Sequence, residues 1–278
     1  METEDVKVII DRTNAMLDRD GLDDNFFQTL GMKRINLKGV KGYVTPIDSK
    51  EANHVGLADL EEDQADKTIE RVIEFYKNEK KSFSWIVGPT SRPVDLDKRL
   101  INHGFNYENE ISAYGFYMNT AKNNLPVNPE FEVTSVPLEF LAENIDLMVN
   151  SFGMGMDKNV AMSLIGISTA INSTERYKNQ VKAYVARERS NGRHVGFSFM
   201  EMDKEQSYAI LDGAAVLPEY RGKGIYKNMV AARMDDAVKS NIKYLIIHAM
   251  KSTSAPVCEK IGFKRACELN IYSYQFHL

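Results

Sequence analysis

The chain has 278 residues, 35 Lys and Arg against 39 Asp and Glu, a net charge of −4, and 43% hydrophobic residues. That apolar share supplies a core and excludes a disordered chain, and the mildly acidic balance argues against nucleic acid as the main partner. The length allows one large domain or two ordinary ones.

The acidic start, Met1-Glu2-Thr3-Glu4-Asp5, lacks the basic-then-apolar order of a secretory leader. Val6, Ile9, Ile10 and Leu17 have helical spacing. His54–Leu60 reads as a short strand, and Ile69, Val72, Ile73 and Tyr76 form one stripe of a helix with Asp66 near its start. The acidic run Asp59, Glu61, Glu62, Asp63 and Asp66 is either a solvated helix start or a lure for a cationic acceptor. Ser82–Val87 is a strand stopped by Gly88-Pro89. Asp95–Asn102 is a helix ended by Gly104, and Ile111–Met118 is an aromatic-rich strand.

A segment rich in Asn, 119–129, with Pro126 and Pro129, reads as a linker. It divides the chain into domains 1–122 and 130–278. Beyond it come a strand (Phe131–Val136) and helices over Leu138–Asn150 and Ala161–Ile171. The polar interruptions of the second helix leave it well short of the ~20 apolar residues a membrane span needs. Val181–Arg187 and His194–Met202 form a hairpin around Ser190-Asn191-Gly192. Tyr208–Leu217 is a long strand, and a helix runs from Gly224 to about Lys239. Tyr244–Met250 is a buried strand, Ser254–Ile261 a short helix and Leu269–Phe276 a closing strand.

Gly104-Phe105 and Gly262-Phe263 both end short helices and lie 158 residues apart. The same offset carries Tyr114 onto Tyr272 and Phe116 onto Tyr274, and strand 82–87 near strand 244–250. Matching order and register argue for an internal duplication.

In Val216-Leu217-Pro218 followed by Arg221-Gly222-Lys223-Gly224-Ile225-Tyr226, a strand turns into a helix. The first turn of a helix has unpartnered N–H groups and positive potential, so this is an anion site, with Arg221 and Lys223 adding charge. A Walker loop does not fit, because Gly224 follows Lys223. A dinucleotide fingerprint does not fit either, because Lys227 stands where its third glycine belongs.

These residues resemble the acetyl-CoA-binding motif of the GNAT N-acetyltransferase superfamily, Arg/Gln-x-x-Gly-x-Gly/Ala preceded by Val-x-Pro. Ser254–Phe263 is similar to the family's late helix and its Gly-Phe turn, and the likeness covers about 145 residues. The N-terminal half resembles a degenerate copy without the Arg-Gly-x-Gly loop.

The resemblance implies an α/β (α+β) protein of two GNAT-like lobes, each a mixed, mostly antiparallel twisted sheet flanked by helices. It implies one working site for acetyl-CoA and transfer of acetyl to a primary amine of a small molecule or peptide in a ternary complex. By the resemblance, Ala215, Val216 and Leu217 hold the pantetheine. Arg221, Gly222, Lys223, Gly224, Ile225 and Tyr226 hold the pyrophosphate, and Ser252 stands where the family often has Asn. The family's proton-donor Tyr is Cys258 here. That thiol is either a donor or a small core residue, and its replacement of Tyr leaves open a CoA-binding sensor or subunit without turnover. Asp212 is a base, a substrate contact or a structural residue. Tyr272 and Tyr274 either line the acceptor pocket or belong to the core. No His, Cys and Asp cluster has metal-ligand spacing. The expected setting is cytoplasmic, with reduced thiols, no membrane or nucleic-acid partner, and a homodimer left open.

Overall fold

The computed structural model describes residues 3–122, 125–152 and 157–276. Met1 and Glu2 of the acidic start and Asn123 and Asn124 of the linker lie outside them. The chain is mixed α/β, with mostly antiparallel twisted sheet flanked by helices. Contacts divide it into one unit of Met1–Phe116 with His248–Leu278 and a second of Tyr117–Ile247. A cut at 122/130 follows chain order and keeps the last strand with the second half. The contacts group that strand with the first unit, for a reason visible in its pairing.

In the first unit, helix α1 (Thr3–Thr13) and α2 (Asp24–Thr29) precede β1 (Lys33–Arg34), β2 (Lys41–Val44) and β3 (His54–Gly56). Then come α3 (Ala65–Glu79), β4 (Phe83–Val87), α4 (Leu96–Asn102), β5 (Asn106–Tyr107) and β6 (Ala113–Asn119). The chain returns late to supply α9 (Ser254–Ile261) and β13 (Lys264–Tyr274). β13 lies between β4 and β6, with Tyr272 opposite Trp85 and Tyr274 opposite Phe83. Trp85, Phe83 and Tyr76 are fully buried, and the last two stack at 3.9 Å. Tyr272 and Tyr274 pack on this cluster, which settles them as core. β13 starts five residues earlier than the sequence predicts, directly after Phe263.

The two helix ends at the 158-residue offset share one cap geometry. The Phe105 N–H bonds the Leu100 carbonyl at 3.0 Å, and the Phe263 N–H bonds the Cys258 carbonyl at 3.0 Å. Gly104 (φ 89°) and Gly262 (φ 105°) take the left-handed conformation that such a cap requires. Leu100 and Cys258 are equivalent by the 158-residue offset, and both are 0% exposed.

β3 runs parallel to β4, with Val55 opposite Trp85. Beyond Gly56 the two segments stay joined. The Arg92 N–H bonds the Ala58 carbonyl at 2.7 Å, and Asp59 bridges Arg92 in the parallel sense. The acidic run then leads into α3. Asp66 bonds Arg99 at 2.5 Å and His103 at 3.0 Å, so this carboxylate ties α3 to α4.

Asp11 on α1 is 0% exposed. Its Oδ2 accepts the Thr90 N–H (3.0 Å) and hydroxyl (2.6 Å), while Oδ1 has no partner among the described residues. Burial raises its carboxyl above the ordinary value, against the two bonds from Thr90. A raised native value means that the carboxyl's contribution is fully present below the ordinary carboxylate range and is lost as pH climbs through the native value. Asp11→Asn removes this titration. The melting temperature of the variant minus that of the parent is therefore expected to grow as pH rises above the ordinary carboxylate range, about pH 4. Thermal melts at rising pH check it, and a flat difference would show that Asp11 is not desolvated.

In the second unit, β7 (Phe131–Val136), β8 (Val181–Glu188), β9 (His194–Asp203) and β10 (Tyr208–Ile210) pair antiparallel in that order. β10 then runs parallel to the first half of β12 (Tyr244–Met250). The predicted helix over 138–150 is broken at Asn144 into α5 (Leu138–Glu143) and α6 (Ile145–Phe152), and α7 spans Lys158–Ser173. Helix α8 (Ile225–Lys239) packs on the sheet face that presents Lys182 and Tyr184, both bonded to its Asp236. Phe152 of α6 meets Phe197, on the opposite face, at 5.4 Å. Among the described residues no helix is long and apolar enough to cross a membrane.

Candidate functional site

The predicted long strand 208–217 is two short ones. β10 ends at Ile210, and β11 is only Ala215–Val216. The Leu211 N–H still reaches the Ile246 carbonyl of β12 at 2.9 Å. Then the chain bends at Gly213 (φ 36°), and the Asp212 carbonyl accepts the Phe199 N–H at 3.1 Å. β11 stays on β9, with Ala215 opposite Phe197 and Val216 opposite Gly196. Gly196 permits this approach, since a Cβ there would stand 2.8 Å from the Ala215 carbonyl oxygen. Among the described residues β11 makes no pairing with β12. Two parallel strands thus part company after Leu211.

The backbone pattern of β11 matters for what it offers. The Leu217 N–H bonds the Val195 carbonyl at 2.9 Å. Antiparallel residues alternate between bonded and non-bonded pairs, so Val216 turns its N–H and C=O away from β9. Its side chain, with those of Leu217 and Ile225, is buried in one core cluster. None of the three side chains is presented to a ligand; the backbone group left turned away from β9 is the Val216 N–H, since the Leu217 N–H is bonded to Val195 and the Val216 carbonyl accepts from Arg221 at 3.1 Å.

Pro218–Tyr220 forms a single tight turn. The Tyr220 hydroxyl bonds Glu188 at 2.9 Å and its ring meets Phe131 edge-on at 6.2 Å. The bonds from Tyr220 and Asn191 hold the Glu188 carboxyl below the usual range. Gly222 (φ 77°) and Gly224 (φ 81°) then curl the backbone into the start of α8. Among the described residues no side chain caps this helix, and its first turn holds no acidic residue. Its N–H groups and dipole are therefore unopposed.

A buried amide pair fixes the loop from behind. Asn228, 5% exposed, accepts the Asn128 N–H at 2.9 Å and donates to the Asn128 carbonyl at 2.8 Å. The Asn128 side chain in turn bonds the Lys223 carbonyl at 3.0 Å. Sequence reasoning missed both residues. The available signal was an Asn inside the α8 pattern, and an Asn between two prolines in a segment taken only as a linker.

Arg221 departs from its predicted place. Its guanidinium bonds the carbonyls of Val216 (3.1 Å) and Ser151 (2.9 Å), and more weakly Phe152 (3.4 Å). It clamps the end of α6 to β11, where a cation suits the carbonyl end of a helix. The side-chain cation at the loop is Lys223, exposed and lying over the Tyr220 ring at 4.6 Å.

Of the remaining predicted site residues, Asp212 is half-buried at the bend, Tyr226 is half-buried in the first turn of α8, and Ser252 is exposed. Cys258 has no exposed surface. Glu201 was missed. It follows Phe197 and Phe199 on one face of β9, opposite Ile210, and is 4% exposed. A single carboxylate between Met200 and Met202 in a strand gives no periodic warning.

A short strand with an outward-turned N–H leading to a glycine loop and the start of a helix is an arrangement that can hold an extended ligand with a phosphate end. Residues 167–263 match the acetyltransferase (GNAT) family. Among solved structures, a GCN5-related N-acetyltransferase from Kribbella flavida superposes with a TM-score of 0.65 at 12% identity, over 88% of this chain and 91% of that one. A GCN5-related N-acetyltransferase from Sphaerobacter thermophilus gives 0.61 at 9% identity, over 99% and 93%. A tandem GNAT protein from the clavulanic acid biosynthesis pathway gives 0.58 at 10% identity, over 98% and 94%. No curated protein sequence matches this chain. The family and fold support a general acyl-CoA-dependent N-acetyltransferase role.

Proposed function

We propose that this protein is a cytoplasmic enzyme that moves an acetyl group from acetyl-CoA to a primary amine of a small molecule or peptide, directly and without a metal. The observation that carries this reading lies within the second unit: the Val216 N–H, turned away from β9, comes just before the glycine loop and the start of α8. The pantetheine amides bond Val216 as a strand would, and the pyrophosphate takes the N–H groups at the start of α8, with Lys223 beside it. The amine nitrogen attacks the thioester carbonyl carbon. The carbon–sulfur bond then breaks, the nitrogen gives up a proton, and the departing thiolate gains one. An amine with a pKa near about 10 arrives protonated, so a base is required, and Asp212 at the bend is the residue assigned to it.

Domains 1–122 and 130–278 are the two duplicated copies in this reading, with the closing strand of the second built into the sheet of the first. The first copy binds no cofactor, because Arg92 holds the segment after β3 closed and the helix start behind it is acidic. Cys258 is taken as a packing residue, equivalent to Leu100.

Cys258 also motivates the second reading, a CoA-binding sensor or subunit, since a fully buried thiol stands where the family has its proton donor. A thiol-release assay with acetyl-CoA across a panel of amines separates the two. Turnover with any acceptor supports transfer, and tight cofactor binding with no turnover supports the sensor. In an active enzyme Cys258→Ala is expected to keep the rate within about threefold. A loss of about 100-fold or more would make the thiol an acid catalyst.

A further inference from the structure

The first unit holds an open cavity of about 920 Å³ between the tip of the β1–β2 hairpin and the segment after β3. Its size is that of a small-molecule site. The hairpin tip is pinned: the Asp59 N–H bonds the Gly39 carbonyl at 2.8 Å, and a Cβ on Gly39 would stand 2.7 Å from the Asp59 carbonyl oxygen. Met32, Ile35 and Val40, all buried, give the cavity an apolar floor.

Its rim is cationic. Lys33, Arg34, Lys38 and Lys41 line it against two carboxylates, Asp24 and Asp59. Lys33 is neutralised by Glu79 at 2.8 Å. Among the described residues the ion pairs of Arg34 and Lys41 are long, 3.4 Å to Asp24 and 3.7 Å to Asp18, and Arg34 also lies over the Phe27 ring at 5.0 Å. Lys38 is exposed and has no ion pair among the described residues. The corresponding hairpin-tip cavity of the second unit, about 610 Å³, sets Glu130 and Glu188 against Arg189 and Lys223 and is balanced.

We infer that this cavity binds an organic anion, a phosphate or carboxylate carried on a small apolar body. The anionic group meets Lys38 and Lys41, and the apolar body lies on the floor. The site is independent of acetyl-CoA, which the reading above places in the second unit.

Calorimetry and amide chemical-shift mapping on the full chain, with phenyl phosphate as probe, test it. One probe per chain is expected to saturate below about 10 mM, with shifts centred on residues 33–42. Inorganic phosphate is expected to bind about tenfold more weakly, having no body for the floor. The surface variant Lys38→Glu with Lys41→Glu should weaken phenyl phosphate by about tenfold or more while leaving acetyl-CoA affinity unchanged. Benzoate in place of phenyl phosphate ranks carboxylate against phosphate. No saturation, undiminished binding in the charge-reversed variant, or displacement of the probe by CoA would each overturn the assignment.

Discussion

Replacing Gly222 or Gly224 with valine is expected to leave a folded protein that has lost acetyl-CoA affinity by about 100-fold or more, some 2.7 kcal/mol. Two terms contribute, and neither is a clash in the unliganded chain. A Cβ on Gly222 would meet nothing within 4 Å, and one on Gly224 only the Asn128 Cβ at 3.9 Å. The first term is conformational. Both residues hold φ near 80°, which costs an L-residue roughly 1–2 kcal/mol, more for a β-branched side chain. The loop therefore relaxes away from the geometry that aims its N–H groups. The second term is the added side chain itself, which occupies the open side from which a phosphate must approach. Alanine should lie between glycine and valine. Binding by calorimetry and folding by circular dichroism check this. Unchanged affinity in either valine variant would remove the pyrophosphate from this loop.

The largest effect on stability is expected from Gly88→Ala, about 3 kcal/mol or more, the scale of a forced overpacking plus a lost buried bond. The new Cβ would stand 1.9 Å from Asp11 Oδ1 and 2.5 Å from its Cγ. The carboxyl cannot step aside cheaply. Its Oδ2 holds the Thr90 N–H and hydroxyl, and the residue is fully enclosed. Urea unfolding measures the loss, and a double-mutant cycle with Asp11→Ala locates it. Asp11→Ala should recover much of the cost of Gly88→Ala, since it removes the group that is struck. A cost under about 1 kcal/mol, or no coupling between the two positions, would contradict the contact.

Periodic elements were legible because burial of one face imposes spacing on the sequence. The stripe of α3 and the 158-residue offset are of this kind, and the offset coincides with a pair of similar helix caps at Phe105 and Phe263. β1 and β2, of two and four residues, are too short to carry a period. Placement of β13 beside β4 was not legible. Strand partners are chosen by long-range packing, here of Tyr272 and Tyr274 on the Trp85 cluster. Gly213 did signal the bend, as a glycine within a strand pattern often does, but β-like residues on both sides masked it. The loop at 221–226 was readable from glycine and helix-start chemistry alone. The destination of the Arg221 guanidinium was not, because its acceptors at Ser151 and Phe152 come from a helix some 70 residues earlier.

The central claim is that one loop in one unit holds the acyl carrier. Titrating the unmodified full chain with acetyl-CoA in a calorimeter tests it most directly. The account predicts saturable binding of one acetyl-CoA per chain. Absence of binding at about millimolar cofactor, or two equivalent sites per chain, would contradict it.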